Sequence, residues 1–156
     1  MRLRIPLVAG LAALVITAAP ARAQQPQESA QCERTAVEIV TDFSRLFFVE
    51  KDWRTAFMTY VAEDYIQHNP HATDGRAAAL QHLGPVFEAN PQLKVDIKRI
   101  FGDDSLVAVH YHSVMQPGTR GFAAVDMFRV KDCKIVEHWD VIQAMPENSI
   151  NPKAMF

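Results

Sequence analysis

The sequence predicts an α+β domain in which three N-terminal helices pack on one face of a curved antiparallel sheet and close it into a cone. Three observations predict this. Apolar residues recur at spacings of three and four up to residue 83, then alternate from residue 92 onward. Gly102-Asp103-Asp104, Gln116-Pro117-Gly118 and Asp132-Cys133 are turn signals that cut the second half into a meander of long strands. The chain has 156 residues, 49% hydrophobic and 22% charged, which suits one core and leaves no room for a second. Its formal charge of -2 gives no basic surplus, so nucleic acid is excluded as a partner on electrostatic grounds.

The elements follow in order. Residues 1–23 have the three parts of a secretory signal peptide: arginines at Arg2 and Arg4, an uncharged apolar run over 5–19, and the small-x-small site Ala21-Arg22-Ala23 before Gln24. The run is shorter than the roughly 20 residues a membrane anchor needs, so no stable anchor is expected after processing. Cleavage at Ala23/Gln24 places the protein in the periplasm or outside the cell. It removes three of the 16 basic residues and none of the 18 acidic ones, leaving a mildly acidic chain. Residues 24–32 read as a leader, 33–145 as the domain and 146–156 as a C-terminal tail.

Ser29 can cap a first helix whose stripe is Val37, Val40, Phe43, Leu46 and Phe47. Lys51-Asp52 breaks it, and Trp53 to Val61 forms a second helix. Residues 62–69 leave the helix, and Pro70 prevents a return. Asp74 caps a third helix over 75–83, which Gly84-Pro85 ends. The strands are then 93–99, 106–114, 121–131 and 134–142.

Polar residues on these strands share parity with apolar neighbours. His110 and His112 share a face with Leu106 and Ala108, Asp126 with Ala124, Phe128 and Val130, and His138 and Asp140 with Val136 and Ile142. An acid held among apolar side chains has a raised pKa, which suits proton transfer near neutral pH. A two-residue loop at 132–133 sets Asp126 opposite Trp139, and a three-residue loop sets it opposite Asp140, the pairing that the shared apolar face favours. Asp126 can alternatively be a structural acid paired with His138, and His110 and His112 can be core histidines. His110, His112, Asp126, His138 and Asp140 can alternatively bind a metal jointly, but they match no standard motif, and no metal is expected. Arg129, Trp139, Val141, Met127 and Val125 fall on the other, outer face. An exposed apolar sheet face points to a partner. Cys32 and Cys133 are the only cysteines, and in an exported chain they are expected to form a disulfide.

Tyr65-Ile66-Gln67-His68-Asn69-Pro70, Asp74-Gly75, the stretch from Gly121 to Arg129, and Ile135-Val136-Glu137-His138-Trp139-Asp140-Val141-Ile142-Gln143 together resemble the SnoaL-like polyketide cyclases. That family belongs to the nuclear transport factor 2-like superfamily of cone folds. The resemblance spans roughly residues 33–156. It implies ring closure by intramolecular aldol condensation without cofactor or metal. The Asp on the penultimate strand, here Asp126, is then the acid/base. A His fourteen residues earlier, His112, assists, with His110 on the same face also open. The resemblance sets His68 at the pocket mouth; His138 joins Asp126 and His112 as an expected catalytic residue, and Tyr65, His110, Phe128 and Asp140 complete the expected pocket. It also implies a homodimer through the outer sheet face. Cys133 departs from the family, which often has Gly at that turn.

Three functional readings follow: a small lyase or isomerase acting on an apolar carbonyl compound, a non-catalytic binding module for an apolar molecule, and a hydrolase on the same scaffold.

Overall fold

The computed structural model describes residues 32–151, 153 and 155–156. The signal segment, the leader before Cys32 and the Ser29 cap lie outside the described residues. Among those described, no helix is long and apolar enough to cross a membrane.

Helix α1 spans Ala36–Ser44. Thr35 and Glu38 form a reciprocal capping box at its start. Ala36, Ile39, Val40, Phe43 and Ser44 are buried, the pattern of one helical face. The chain continues as a π-helical segment, Arg45–Val49, closed by a bond from Glu50 N to Arg45 O. The wider turn lets Phe43, Phe47 and Phe48 all line one cavity. Asp52 caps α2, Trp53–Tyr60, by accepting from Thr55 N.

Residues 62–69 are not a simple exit from the helix. Val61–Gln67 forms strand β1. Helix α3 is Arg76–Ala89, longer than the sequence suggests. Asp74 does not cap it: its carboxylate accepts from Gln67 N, and Gly75, at φ +94°, opens the helix. Gly84-Pro85 does not end it. Gly84 admits the Trp53 ring, which would lie 3.2 Å from an added Cβ. Phe87, beyond the proline, packs on both Trp53 and Phe47 and so holds the final turns.

Strands β2 (Lys94–Gly102), β3 (Leu106–Val114), β4 (Phe122–Lys131) and β5 (Lys134–Ala144) complete the sheet. The order is β1-β5-β4-β3-β2. β2 to β5 form the expected antiparallel meander, and β1 adds a parallel edge beside β5, so the sheet is mixed. Irregularities in β2 between Ile97 and Arg99, and beside Val136 in β5, bend the sheet. The three helices and the aromatic core lie on the concave side.

The favoured pairing of Asp126 with Asp140 is present, but a bulge and not a three-residue loop produces it. The turn has two residues, Asp132 and Cys133, both at positive φ, between paired Lys131 and Lys134. One extra residue then enters β5: Val130 pairs with Ile135 but Arg129 with Glu137. The bulge puts Asp126 opposite Asp140 and Phe128 opposite His138. It also makes Ile135, not Val136, the buried residue at the start of β5. Cys32 and Cys133 form a disulfide with Cα atoms 5.3 Å apart, joining the chain ahead of α1 to this turn.

Candidate active site

The concave face encloses a cavity of about 180 Å³. Its apolar wall is aromatic: Phe43, Phe47, Phe48 and Phe57 from the helices and Phe128 from β4. Its polar end is made by Tyr65, Gln67, Asn69, Tyr111, Asp126, His138 and Asp140. Pairing across β4 and β5 sets Asp126, Phe128, His138 and Asp140 side by side on the inner face.

Asp126 is 5% exposed. Removal from water pushes its carboxyl pKa up, against opposing pulls from His138 and from the Tyr111 hydroxyl. Tyr111 donates to Asp126 Oδ1 over 3.1 Å. Asp126 Oδ2 lies 3.7 Å from His138 Nε2. That is close enough to couple their charges and too far for a direct hydrogen bond.

Gln67 fixes the state of the imidazole. Its Oε1 accepts from the backbone N–H of Asn69 at 2.9 Å, which sets the amide orientation. The same oxygen faces His138 Nδ1 at 2.8 Å, so Nδ1 must carry the hydrogen and donate. In the neutral ring Nε2 then presents its lone pair toward Asp126. Asn69 Nδ2 donates to Asp140 Oδ2 at 2.5 Å. Asp126, His138 and Asp140 are thus each held by a neighbour from another strand or from the loop after β1. Ligand atoms of Asp126, His138 and Asp140 lie within 4.8 Å of one another, a set that could also hold a divalent ion.

Three expected residues are elsewhere. His110 and His112 lie on the outer face, because the buried residues of β3 are Val107, Val109, Tyr111 and Ser113. Leu106 and Ala108 favour the histidine face, yet the face with two valines and a tyrosine is the more apolar one and takes the core. His110 sits 2.7 Å from Arg99 Nη1, His112 2.8 Å from the Arg120 carbonyl, and the Phe156 ring packs against both imidazoles. His68 also points outward. It stacks on Trp139 at 4.7 Å and bonds Glu137. Arg129 and His68 together hold the Glu137 carboxyl below its ordinary range. Tyr111 takes the place expected of the histidines. Gln67 and Asn69 flank His68 in sequence and occupy the inner face in its stead. His82, on α3, is exposed and borders the cavity.

The sequence profile of the SnoaL-like domain matches residues 40–138. The chain belongs to the SnoaL-like family. Solved structures agree on the fold of this SnoaL-like chain. A candidate polyketide cyclase from Acidithiobacillus ferrooxidans is 18% identical, with 72% of this chain and 91% of that one aligned at a TM-score of 0.57. A candidate SnoaL-like polyketide cyclase from a Jannaschia species is 17% identical, with 72% and 91% aligned at 0.55. A nuclear transport factor 2-like protein of unknown function from Mesorhizobium loti is 22% identical, with 69% and 89% aligned at 0.57. No curated protein matches the sequence. The family supports cyclase or isomerase chemistry on a small molecule in general.

Proposed function

We propose that this SnoaL-like chain is a cyclase or isomerase that moves a proton at the carbon beside a substrate carbonyl, with Asp126 as base and His138 as its partner. One observation carries the reading: a buried carboxylate at the polar end of a cavity walled by phenylalanines, facing an imidazole nitrogen whose lone pair is free. The Asp126 carboxylate takes the proton, the C–H bond breaks, and its electron pair moves onto the carbonyl oxygen. The enolate carbon then attacks a second carbonyl in the same molecule. Protonated Asp126 returns its proton to the new alkoxide, His138 relaying it where Asp126 does not reach. In an isomerisation the proton returns to a different carbon. A cavity of about 180 Å³ fits a one-ring compound, since an apolar cavity of about 150 Å³ takes benzene.

The test works before any natural substrate is identified. A panel of one-ring ketones and 1,3-diketones is incubated with the protein in D2O, and deuterium uptake beside the carbonyl is followed by NMR. Accelerated uptake is expected, and it should persist with chelator present. The base works as a carboxylate, and burial raises its pKa. The rate should therefore fall on the acid side, at a pH above the ordinary carboxylate range. No acceleration over the whole panel removes the enzyme reading and leaves a binding module. Loss of activity in chelator would transfer the site to a metal.

Export and self-association belong to the same reading. The disulfide suits an oxidising compartment. The outer face leaves Val141 64% exposed beside Trp139, and a second copy is the occupant proposed for it. Sedimentation velocity should give twice the chain mass, and a monomer at micromolar concentration would refute the dimer.

A further inference from the structure

Tyr65 is a buried titratable group with no role in the scheme above. It is 2% exposed, stands on β1 at the cavity wall and packs against the rings of Phe57 and His138. Its oxygen accepts a hydrogen bond from Gln67 Nε2 at 3.1 Å. The Gln67 amide cannot turn over, because its other end is held by the backbone N–H of Asn69 and by His138. Gln67 therefore only donates to Tyr65, and the hydroxyl hydrogen must go elsewhere. Among the described residues it has no acceptor. A buried hydroxyl hydrogen without a partner is costly, and the open space beside it is the cavity.

We propose that Tyr65 is the donor that holds the substrate's carbonyl oxygen, so that the ligand is a small ketone bound with its oxygen against Tyr65 and its acidic carbon against Asp126. Burial, reinforced by the nearby Asp126 and Asp140 carboxylates, keeps the phenol protonated well beyond its ordinary range. It is thus a donor at every working pH. When Asp126 removes the proton, charge gathers on the carbonyl oxygen, and a fixed O–H aimed there is stronger in the transition state than in the ground state. Gln67 is a positioning residue: one amide orients both the imidazole beside the base and the phenol that receives the charge. The inference rests on the proton-transfer reading.

The experiment uses 4-nitrophenol, a one-ring mimic of an enolate whose phenol and phenolate forms absorb at different wavelengths. Binding is measured by absorbance titration in four proteins: wild type, Asp126→Asn, Tyr65→Phe and the double variant. Asp126→Asn imitates the protonated carboxyl present once the base has acted, so it should bind phenolate more tightly than wild type. Tyr65→Phe, in the Asp126→Asn background, should weaken phenolate binding roughly 10- to 100-fold and return the bound dye toward its phenol form. Circular dichroism and thermal melts confirm that the variant folds. Unchanged affinity and spectrum on Tyr65→Phe overturn the proposal, as does the absence of binding in all four proteins. The two readings fail separately. If Asp126→Asn does not tighten phenolate binding but Tyr65→Phe still weakens it, the base assignment fails and the Tyr65 contact stands.

Discussion

Asp126→Asn should lower deuterium uptake beside the carbonyl by roughly 100- to 10,000-fold while making the protein more stable near neutral pH. The two effects have one cause. Burial raises the pKa of the Asp126 carboxyl in the folded state. A group with a raised folded pKa stabilises the fold fully below its unfolded value, and that contribution is lost as pH rises through the folded value. At neutral pH the wild type is past at least the start of this loss, because the unfolded carboxyl ionises freely in water. Asparagine keeps the shape, still accepts from Tyr111 and never ionises. Its melting temperature should exceed that of the wild type near neutral pH, and the gap should close below the ordinary carboxylate range. Full activity in Asp126→Asn shows that the base is elsewhere. An unfolded variant shows that the residue is a structural partner of His138. His112→Gln is the control: on the outer face, bonded to the Arg120 carbonyl, it should leave uptake unchanged.

The two sequence elements behind the family resemblance turn out to be partners in space. Gln67 pairs in parallel with His138, and His68 N bonds the His138 carbonyl. Alternation then sorts both segments: Gln67, Asn69, His138 and Asp140 go inward as the polar end of the cavity, while His68, Glu137 and Trp139 go outward as a stacked, ion-paired patch. The motifs are legible as strings because each carries both faces. Which face a residue takes is legible on β4, where Ala124, Phe128 and Val130 leave Arg129 no place in the core. It is not legible on β3, where both faces are largely apolar and two histidines point to the wrong one. Strand β1 is hidden for a related reason. Its burial alternates poorly, with Glu63 and Asp64 both exposed, and its place at the edge depends on β5 far along the chain. Gly84-Pro85 fails as a helix stop because a glycine can also serve close packing, here of Trp53, and tertiary contacts at Phe87 outweigh the proline.

Removal of the Cys32–Cys133 bridge should cost about 2–5 kcal/mol of stability, read as a fall of roughly 5–15 °C in melting temperature. The bridge closes a loop of 101 residues, nearly the whole domain, so the unfolded chain gains much freedom when it is cut. It also clamps the segment ahead of the Thr35 capping box onto the hairpin whose bulge sets Asp126 opposite Asp140. The replacement at residue 133 separates the bridge from the turn. Cys133 has φ +62° and Asp132 φ +48°, a pair of left-handed conformations that non-glycine residues adopt at a cost of about 1–2 kcal/mol each. Cys32→Ser with Cys133→Ser loses the bridge and keeps the strain. Cys32→Ser with Cys133→Gly loses the bridge and relieves it at one position, so it should melt several degrees higher than the double serine variant. Equal melting of the two would mean that the positive φ at residue 133 carries no strain that glycine relieves. A melting point unchanged from wild type in both would remove the disulfide from the stability of the fold. The same measurement bears on compartment. Protein recovered from the periplasm should begin at Gln24, carry no free thiol and melt at the higher temperature. Protein held in a reducing cytoplasm should behave as the double serine variant does. The short residual gap between such reduced protein and the glycine variant is then a direct measure of what a cysteine costs at a turn position that suits glycine.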